Sequence, residues 1–537
     1  MAYQRLSVCG VIVLLLLFAA LGVDRTSFGQ EFLIPSNHGA GAAGFSKVSP
    51  GGSLDLTGNI QLNSGSLEGL REPLVQINNL PLRLKADLKF YNPSGTSTDH
   101  PAVAYDYKGQ DYLVVFSSFN GSEREIRGTI VKLDGRVKVP SFLISTSPLD
   151  VGSDEFNPTV AFQDIPDAHE RRFLVAWQTE DSRLEGAILD QNGIVKIPPF
   201  LITAPGVKGV DPDASAGPGG RSPQVTRPFM VAYRASTRNI AELTNQIRLA
   251  RIADCFDCSP GLETPQVKDD RVDVLPFIGD SNFSPHIAYG DPSSADYHLL
   301  VYQRKSPFSP TGLDILYRTV QPNFNSPLTL GPASFISSGS RTISGPGKVA
   351  FTHGITSASG EWGVLWRQDL GCKFCTPPSS TAALFVQLLG VDPSLTKLGV
   401  PKMMDSFTSD FLPVFSKDLF PTYALAGSRS TGLFTAVFSV EIPGGCLSND
   451  LYGKVLHADG SVDAAVAKVF SDNDCAETDI DPAVALTGSP TPAGGGDQCN
   501  SSPIQTCGLI IWVHFDPCAC AKSNIVAYAY EKENAIK

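Results

Sequence analysis

The feature that most constrains this chain is that it repeats itself. Pro101-Ala102-Val103-Ala104-Tyr105 returns as Pro158-Thr159-Val160-Ala161-Phe162. After each comes a second apolar run closed by an aromatic residue, Tyr112-Leu113-Val114-Val115-Phe116 and then Phe173-Leu174-Val175-Ala176-Trp177. A third run, Ile126 to Ile130 or Leu184 to Ile188, leads into Asp134-Gly135 or Asn192-Gly193. A fourth closes each unit, at Pro140 to Ser145 and Pro199 to Thr203. Runs this short, rich in β-branched and aromatic types and bounded by turn formers, are strands. Asp-Gly and Asn-Gly supply the positive φ that a two-residue hairpin needs, so the third and fourth runs are expected to pair antiparallel. Each unit therefore reads as a four-stranded meander.

The first run recurs in weaker form at Asp211-Pro212-Asp213-Ala214, Pro285 to Tyr289, Lys348 to Phe351, Pro421 to Leu425 and Pro482 to Leu486. Second runs follow at Phe229 to Tyr233, Leu299 to Tyr302, Trp362 to Trp366, Phe434 to Phe438 and Leu509 to Val513. The sixth unit repeats the hairpin signal at Asp459-Gly460. Units of roughly 55–75 residues suit the blades of a radial all-β array rather than helical repeats. A four-stranded sheet cannot bury both faces alone, but sheets set radially cover one another and leave no long open edge. The last unit has a third strand at Ile525 to Tyr530 and then ends. Its missing fourth strand is expected from Asp87-Leu88-Lys89-Phe90-Tyr91, ahead of the first unit.

On these repeats and hairpins the chain resembles the seven-bladed β-propeller superfamily over about residues 85–532. The resemblance implies an all-β fold of four-stranded antiparallel blades, the ring closed by an N-terminal strand that completes the last blade. An open array or two tandem β-sandwiches is the alternative. Propellers host unrelated activities, so the resemblance speaks for architecture and leaves function to individual residues.

Ahead of the repeats, Arg5 precedes the apolar run Val11 to Ala20, and small residues follow. That is the layout of a secretory signal peptide, cleaved after Gly22 or after Gly29, with an uncleaved anchor as the alternative. The expected organisation is a signal peptide at 1–29, a Gly/Ser/Asn-rich leader at 30–84 and the propeller at 85–532. The protein is then secreted, periplasmic or displayed at the cell surface, with no membrane span after cleavage. Of eleven cysteines, setting Cys9 aside leaves Cys255, Cys258, Cys372, Cys375, Cys446, Cys475, Cys499, Cys507, Cys518 and Cys520. An even number in an oxidising compartment reads as disulfides before metal or redox chemistry. Neither Cys-x-x-Cys pair is followed by His, which excludes covalent haem attachment by that motif.

Charge narrows the partners. With 42 Lys and Arg against 54 Asp and Glu, the net charge of -12 argues against nucleic acid. The expected partner is an extracellular glycan or a protein. In a propeller, the loops after second strands and those entering the blades converge on one rim, where ligands are expected. Asp211 and Asp481, each immediately before a first-strand proline, are the most suggestive groups there. Arg234, Arg304, Arg367, Asp369, His514 and Asp516 join them from the ends of second strands, and His100, Glu155 and Asn157 from the entering loops. Ordinary turn chemistry is the stronger reading of Asp before Pro. The alternative to a binding or scaffold module is a polysaccharide hydrolase or lyase with two carboxylates across the rim. No calcium loop, nucleophile elbow, zinc-protease helix or phosphate-cradling loop occurs, and neither a metal nor a cofactor is expected.

Overall fold

The computed structural model describes the strands between Leu82 and Glu533 and many of the turns that join them. Residues 1–81 and 534–537 lie outside the description, as do connecting segments that include 219–227, 254–264, 371–380, 409–422 and 488–504. The signal peptide and leader therefore fall outside the described residues. Among those described, no helix is long and apolar enough to cross a membrane.

β1 (Leu82–Phe90) stands ahead of a run of meanders. They are β2 (Thr98–Asp106) to β5 (Val137–Leu143), with β3 (Asp111–Phe119) and β4 (Arg124–Lys132) between, then β6 (Glu155–Ile165), β7 (Glu170–Thr179), β8 (Leu184–Asp190) and β9 (Val195–Leu201). Next come β10 (Lys208–Ala216), β11 (Phe229–Ser236), β12 (Asn245–Ala253) and β13 (Gln266–Arg271). β14 (Ser281–Tyr289), β15 (His298–Lys305), β16 (Leu313–Val320) and β17 (Ser334–Ser337) follow. β18 (Lys348–His353), β19 (Gly360–Asp369), β20 (Thr381–Gly390) and β21 (Lys397–Thr408) form another. β22 (Tyr423–Gly427), β23 (Leu433–Glu441), β24 (Asn449–His457) and β25 (Ala467–Phe470) precede β26 (Thr478–Leu486), β27 (Gln505–Asp516) and β28 (Lys522–Glu533). Each meander is a four-stranded antiparallel sheet in chain order, and β1 pairs with β28 to complete the sheet of β26, β27 and β28. Leu88 lies opposite Ala527 and Phe90 opposite Ile525. The arrangement is a β-propeller of four-stranded antiparallel blades.

Burial explains why these sequences pair this way. Second strands are sandwiched between sheets on both faces, so β3 is buried from Asp111 to Ser118 and reads as an unbroken apolar run. Outer strands meet water, and β5 is largely exposed. Each seam between consecutive sheets is a separate core. Leu113, Val115 and Ile126 of one sheet pack with Val160, Val175 and Trp177 of the next. The first and last sheets share a core too, in which Tyr112 and Val114 meet Leu509, Ile511 and Ile525.

Two sequence expectations need correcting. The hairpins are not two-residue turns. Asp190 N donates to Ile194 O at 2.9 Å and Gly193 N to Asp190 O at 3.0 Å. Only the glycine takes positive φ, 79° at Gly193 and 79° at Gly460. That is a type I turn followed by a left-handed glycine, the three-residue solution to the same strand twist. Second, the residues before the repeated prolines are not loop starters. Asp211-Pro212 lies inside β10, and matching register breaks interrupt β2, β6, β14 and β26. At each break two residues stand opposite one aromatic of the second strand: Phe116, Trp177, Tyr233, Tyr302 or Trp512. The repeated Pro and the repeated aromatic are thus two halves of one β-bulge. All five aromatics are buried, none more than 4% exposed.

Cys507 is 1% exposed and held in a disulfide. Cys255, Cys258, Cys372, Cys375, Cys446, Cys475, Cys499, Cys518 and Cys520 lie outside the described residues.

Candidate functional site

The first strands of all the sheets line a common cavity of about 250 Å³. Its walls come from the C-terminal halves of those strands and include Tyr107, Asp164, Ser215, Tyr289, Phe351 and Leu486. Small residues let the strands converge. A methyl group at Gly427 would stand 2.0 Å from the Phe351 carbonyl oxygen, and one at Gly217 would enter the Tyr289 ring at 2.7 Å.

At this end, side chains tie several sheets to the next. Gln163 Nε2 donates to Gly217 O at 3.3 Å, Thr352 Oγ1 donates to Ser428 O, and Ser428 Oγ donates to Thr487 O at 2.9 Å. Tyr107 donates across the first seam to Asp164 Oδ2 at 3.2 Å. Asp106 accepts the backbone N–H groups of Lys108 and Gly109 and an ion pair from Arg171 at 2.9 Å. Burial nonetheless pushes its carboxyl above the usual range. These groups are committed to packing.

None of the residues expected to form the site lines the cavity. They lie at the opposite end, where the bulges are. His100, Asn157, Asp211 and Ser284 each precede a proline and hold φ of 50°, 48°, 53° and 44°. Left-handed backbone is uncommon for residues other than glycine, and a following proline ordinarily favours extended backbone. The bulge fixes the direction of each side chain. Asn157 Nδ2 lies 3.4 Å from Gln178 Oε1 of the adjoining strand. Asp211 Oδ2 lies 3.0 Å from Arg234 Nε, with both side chains about a third exposed (38% and 29%). Just past the bulge, the next residue on two of these strands reaches across the seam: Thr159 Oγ1 accepts Ala214 N at 3.0 Å, and Asp213 Oδ2 accepts Ile287 N at 2.7 Å.

Asp211 and Arg234 are therefore brought together. Asp481 occupies the matching bulge of β26, on a different sheet. Arg304 pairs within its own sheet with Asp314, 3.2 Å away, and its guanidinium carbon lies 5.0 Å from the Phe335 ring centroid. Arg367 lies opposite Leu384 and Asp369 opposite Ala382 at the end of β19. His514, opposite Asp479 at the bulged end of the last sheet, is 3% exposed. Asp516 lies opposite Lys522 at the end of β27.

Glu155, at the start of β6, is the carboxyl most displaced in acidity. It is 5% exposed and accepts Ile126 N at 3.2 Å. Burial, reinforced by Glu125 and Glu123, raises its pKa to about 8 against hydrogen bonds from Ser145 and Ile126. It sits in a seam and does not line the cavity.

Sequence reasoning missed two aromatics. Phe156 and Phe283 directly precede the bulge residues Asn157 and Ser284. The Arg124 guanidinium carbon lies 5.8 Å from the Phe156 ring centroid, and that of Arg234 lies 6.0 Å from Phe283. The signal was an aromatic just ahead of X-Pro, present in only two units.

No family model and no curated protein matches the chain. Solved structures similar to it are distant. A protein of unknown function from Dyadobacter fermentans is 10% identical, with 84% of this chain and 100% of that chain covered and a TM-score of 0.38. The Aleuria aurantia lectin, described as a six-bladed β-propeller that recognises fucose, is 12% identical over 72% of this chain and 99% of its own, with a TM-score of 0.34. A subtype N11 neuraminidase-like protein of an H18N11 flat-faced bat virus is 9% identical, covering 84% and 96%, with a TM-score of 0.36.

Proposed function

We propose that this chain is an extracellular or surface-displayed propeller, its seven sheets closed into one ring, that binds a glycan or a protein partner at its bulged rim without catalysis. Support for the ring comes from the β1–β28 pairing and from the core shared by the first and last sheets. Residues 1–29 as an export signal and the disulfide at Cys507 support the compartment. In this reading residues 30–84 are a leader and the propeller occupies about 85–532.

One observation carries the functional part: the Asp211–Arg234 pair, part-exposed beside Phe283 at a seam. An ion-paired carboxylate and guanidinium offer an acceptor and donors side by side. Of the described carboxyls that burial raises strongly, Glu155 is enclosed between sheets and hydrogen-bonded to backbone, and Glu361 lies opposite Thr352, where the first strands end rather than where they bulge.

Purified protein applied to a glycan array and incubated with chromogenic glycosides tests the reading. Retention without turnover is expected. Turnover abolished by Asp211→Asn or Asp481→Asn would establish the hydrolase or lyase instead.

A further inference from the structure

We infer that the rim carries two related subsites for a neutral saccharide, one at the seam between the β2–β5 and β6–β9 sheets, the other between the β10–β13 and β14–β17 sheets. This rests on the glycan-binding reading above and deepens it.

The two seams share one contact, made by an arginine of the third strand, β4, at the first and of the second strand, β11, at the other. In each, an arginine of one sheet lies over a phenylalanine on the first strand of the next: Arg124 over Phe156, and Arg234 over Phe283. Both phenylalanines are the last paired residue before a bulge, opposite Gln178 and Gln303 respectively. Both are followed by a left-handed residue, Asn157 or Ser284. Both rings are half-buried, so each presents part of an apolar face while the seam holds the rest. The corresponding residue in the intervening sheet is Val210, and no ring stands there.

Their chemistry matches a sugar. A pyranose offers an apolar C–H face and adjacent hydroxyls that both donate and accept. A ring edge meets the first, while guanidinium N–H donors with a carboxylate or amide acceptor meet the second. Asp211 supplies that acceptor at one seam, and Asn157 with Gln178 supplies it at the other.

Charge selects against acidic sugars. Arg234 is already neutralised by Asp211. Arg124 is flanked by Glu123 and Glu125, and its backbone N–H donates to Asp154 Oδ1 at 2.9 Å. A sugar carboxylate would meet an arginine already ion-paired at one seam and the neighbouring carboxylates of Glu123, Glu125 and Asp154 at the other. Two weak subsites on one rigid frame also imply avidity, on the order of 10²–10⁴ over a single site when the ligand is displayed densely.

The experiment titrates the full chain with methyl glycosides of neutral hexoses and a 6-deoxyhexose, and with the methyl glycoside of sialic acid, by calorimetry. The same glycosides, coupled densely to albumin, report avidity. A neutral glycoside is expected to bind with two sites per chain. Phe156→Ala and Phe283→Ala each reduce this to one, and the double variant loses binding at least tenfold. Phe→Leu variants at the same positions replace alanine where near-UV circular dichroism shows a disturbed fold. Tighter binding of the sialoside overturns the substrate class. Full binding by a folded double variant overturns the seam assignment while leaving glycan binding intact. Wild-type protein that retains none of the glycosides, free or coupled, overturns the glycan reading itself.

Discussion

Where the first strands end, Gln163, Thr352 and Ser428 each hand a hydrogen bond to the following sheet; where they begin, His100, Asn157, Asp211 and Ser284 break the ladder instead. The same strands thus run from a strained, polar, part-exposed rim to a tight, buried belt. Buried links of this kind each add about 1 kcal/mol net and cost more when one partner is left unsatisfied. Left-handed residues cost about 1–3 kcal/mol each and persist where surrounding structure over-determines them. The belt stabilises a frame that can hold an irregular rim, and irregularity is what aims side chains such as Asp211 outward from the sheet.

Three substitutions sharpen or break this contrast. The largest effect is expected at the belt. Gly427→Ala sets a methyl against the Phe351 carbonyl, a backbone atom that cannot swing away. It should lower unfolding free energy by about 3 kcal/mol, read from urea midpoints. A loss below about 0.5 kcal/mol would mean that the belt is looser than the geometry implies.

The second concerns the carboxyl enclosed near the rim. The folded pKa of Glu155, about 8, lies above its ordinary value of 4.5. Its contribution to stability is therefore complete below pH 4.5, declines as pH rises and levels off above 8. The slope approaches about 1.4 kcal/mol per pH unit at most. Glu155→Gln, which mimics the protonated acid, should flatten that part of the profile in thermal melts between pH 5 and pH 8. An unchanged slope would show that the seam admits water to this group.

The smallest effect belongs to the bulge. Ser284→Gly removes a side chain from a left-handed position at φ 44°. Melting should stay unchanged or rise by less than about 1 kcal/mol in equivalent stability. Substantial destabilisation would mean that the serine hydroxyl, and not the backbone bend, holds the strand's start.

Much of this architecture was legible because its cause is local. Alternating short runs such as Pro101 to Tyr105 and Tyr112 to Phe116 specify paired strands, and a two-sided buried second strand writes itself as an unbroken apolar run. Even the remote strand that completes the last sheet was recoverable, because the final unit was one run short. The bulges were not. Asp211-Pro212 satisfies the composition rule for a turn, and only its pairing with the second strand shows two residues facing Tyr233. Rim residues were legible as a set but not as contacts. Asp211 and Arg234 were both named, yet nothing in their spacing announced that they meet, and nothing in the position of His514 at a strand end announced its 3% exposure. Phe156 and Phe283 escaped notice because a seam joins residues from different units, which a unit-by-unit alignment separates.

β1 and β28 come from opposite ends of the described chain and share one ladder from Leu82–Lys532 to Phe90–Ile525. That sheet is the only one, among those described, whose assembly must wait until the strands of all the other described sheets have been made. A chain lacking β28 would leave β1 and β27 with bare, unzipped margins ready to recruit a foreign ribbon.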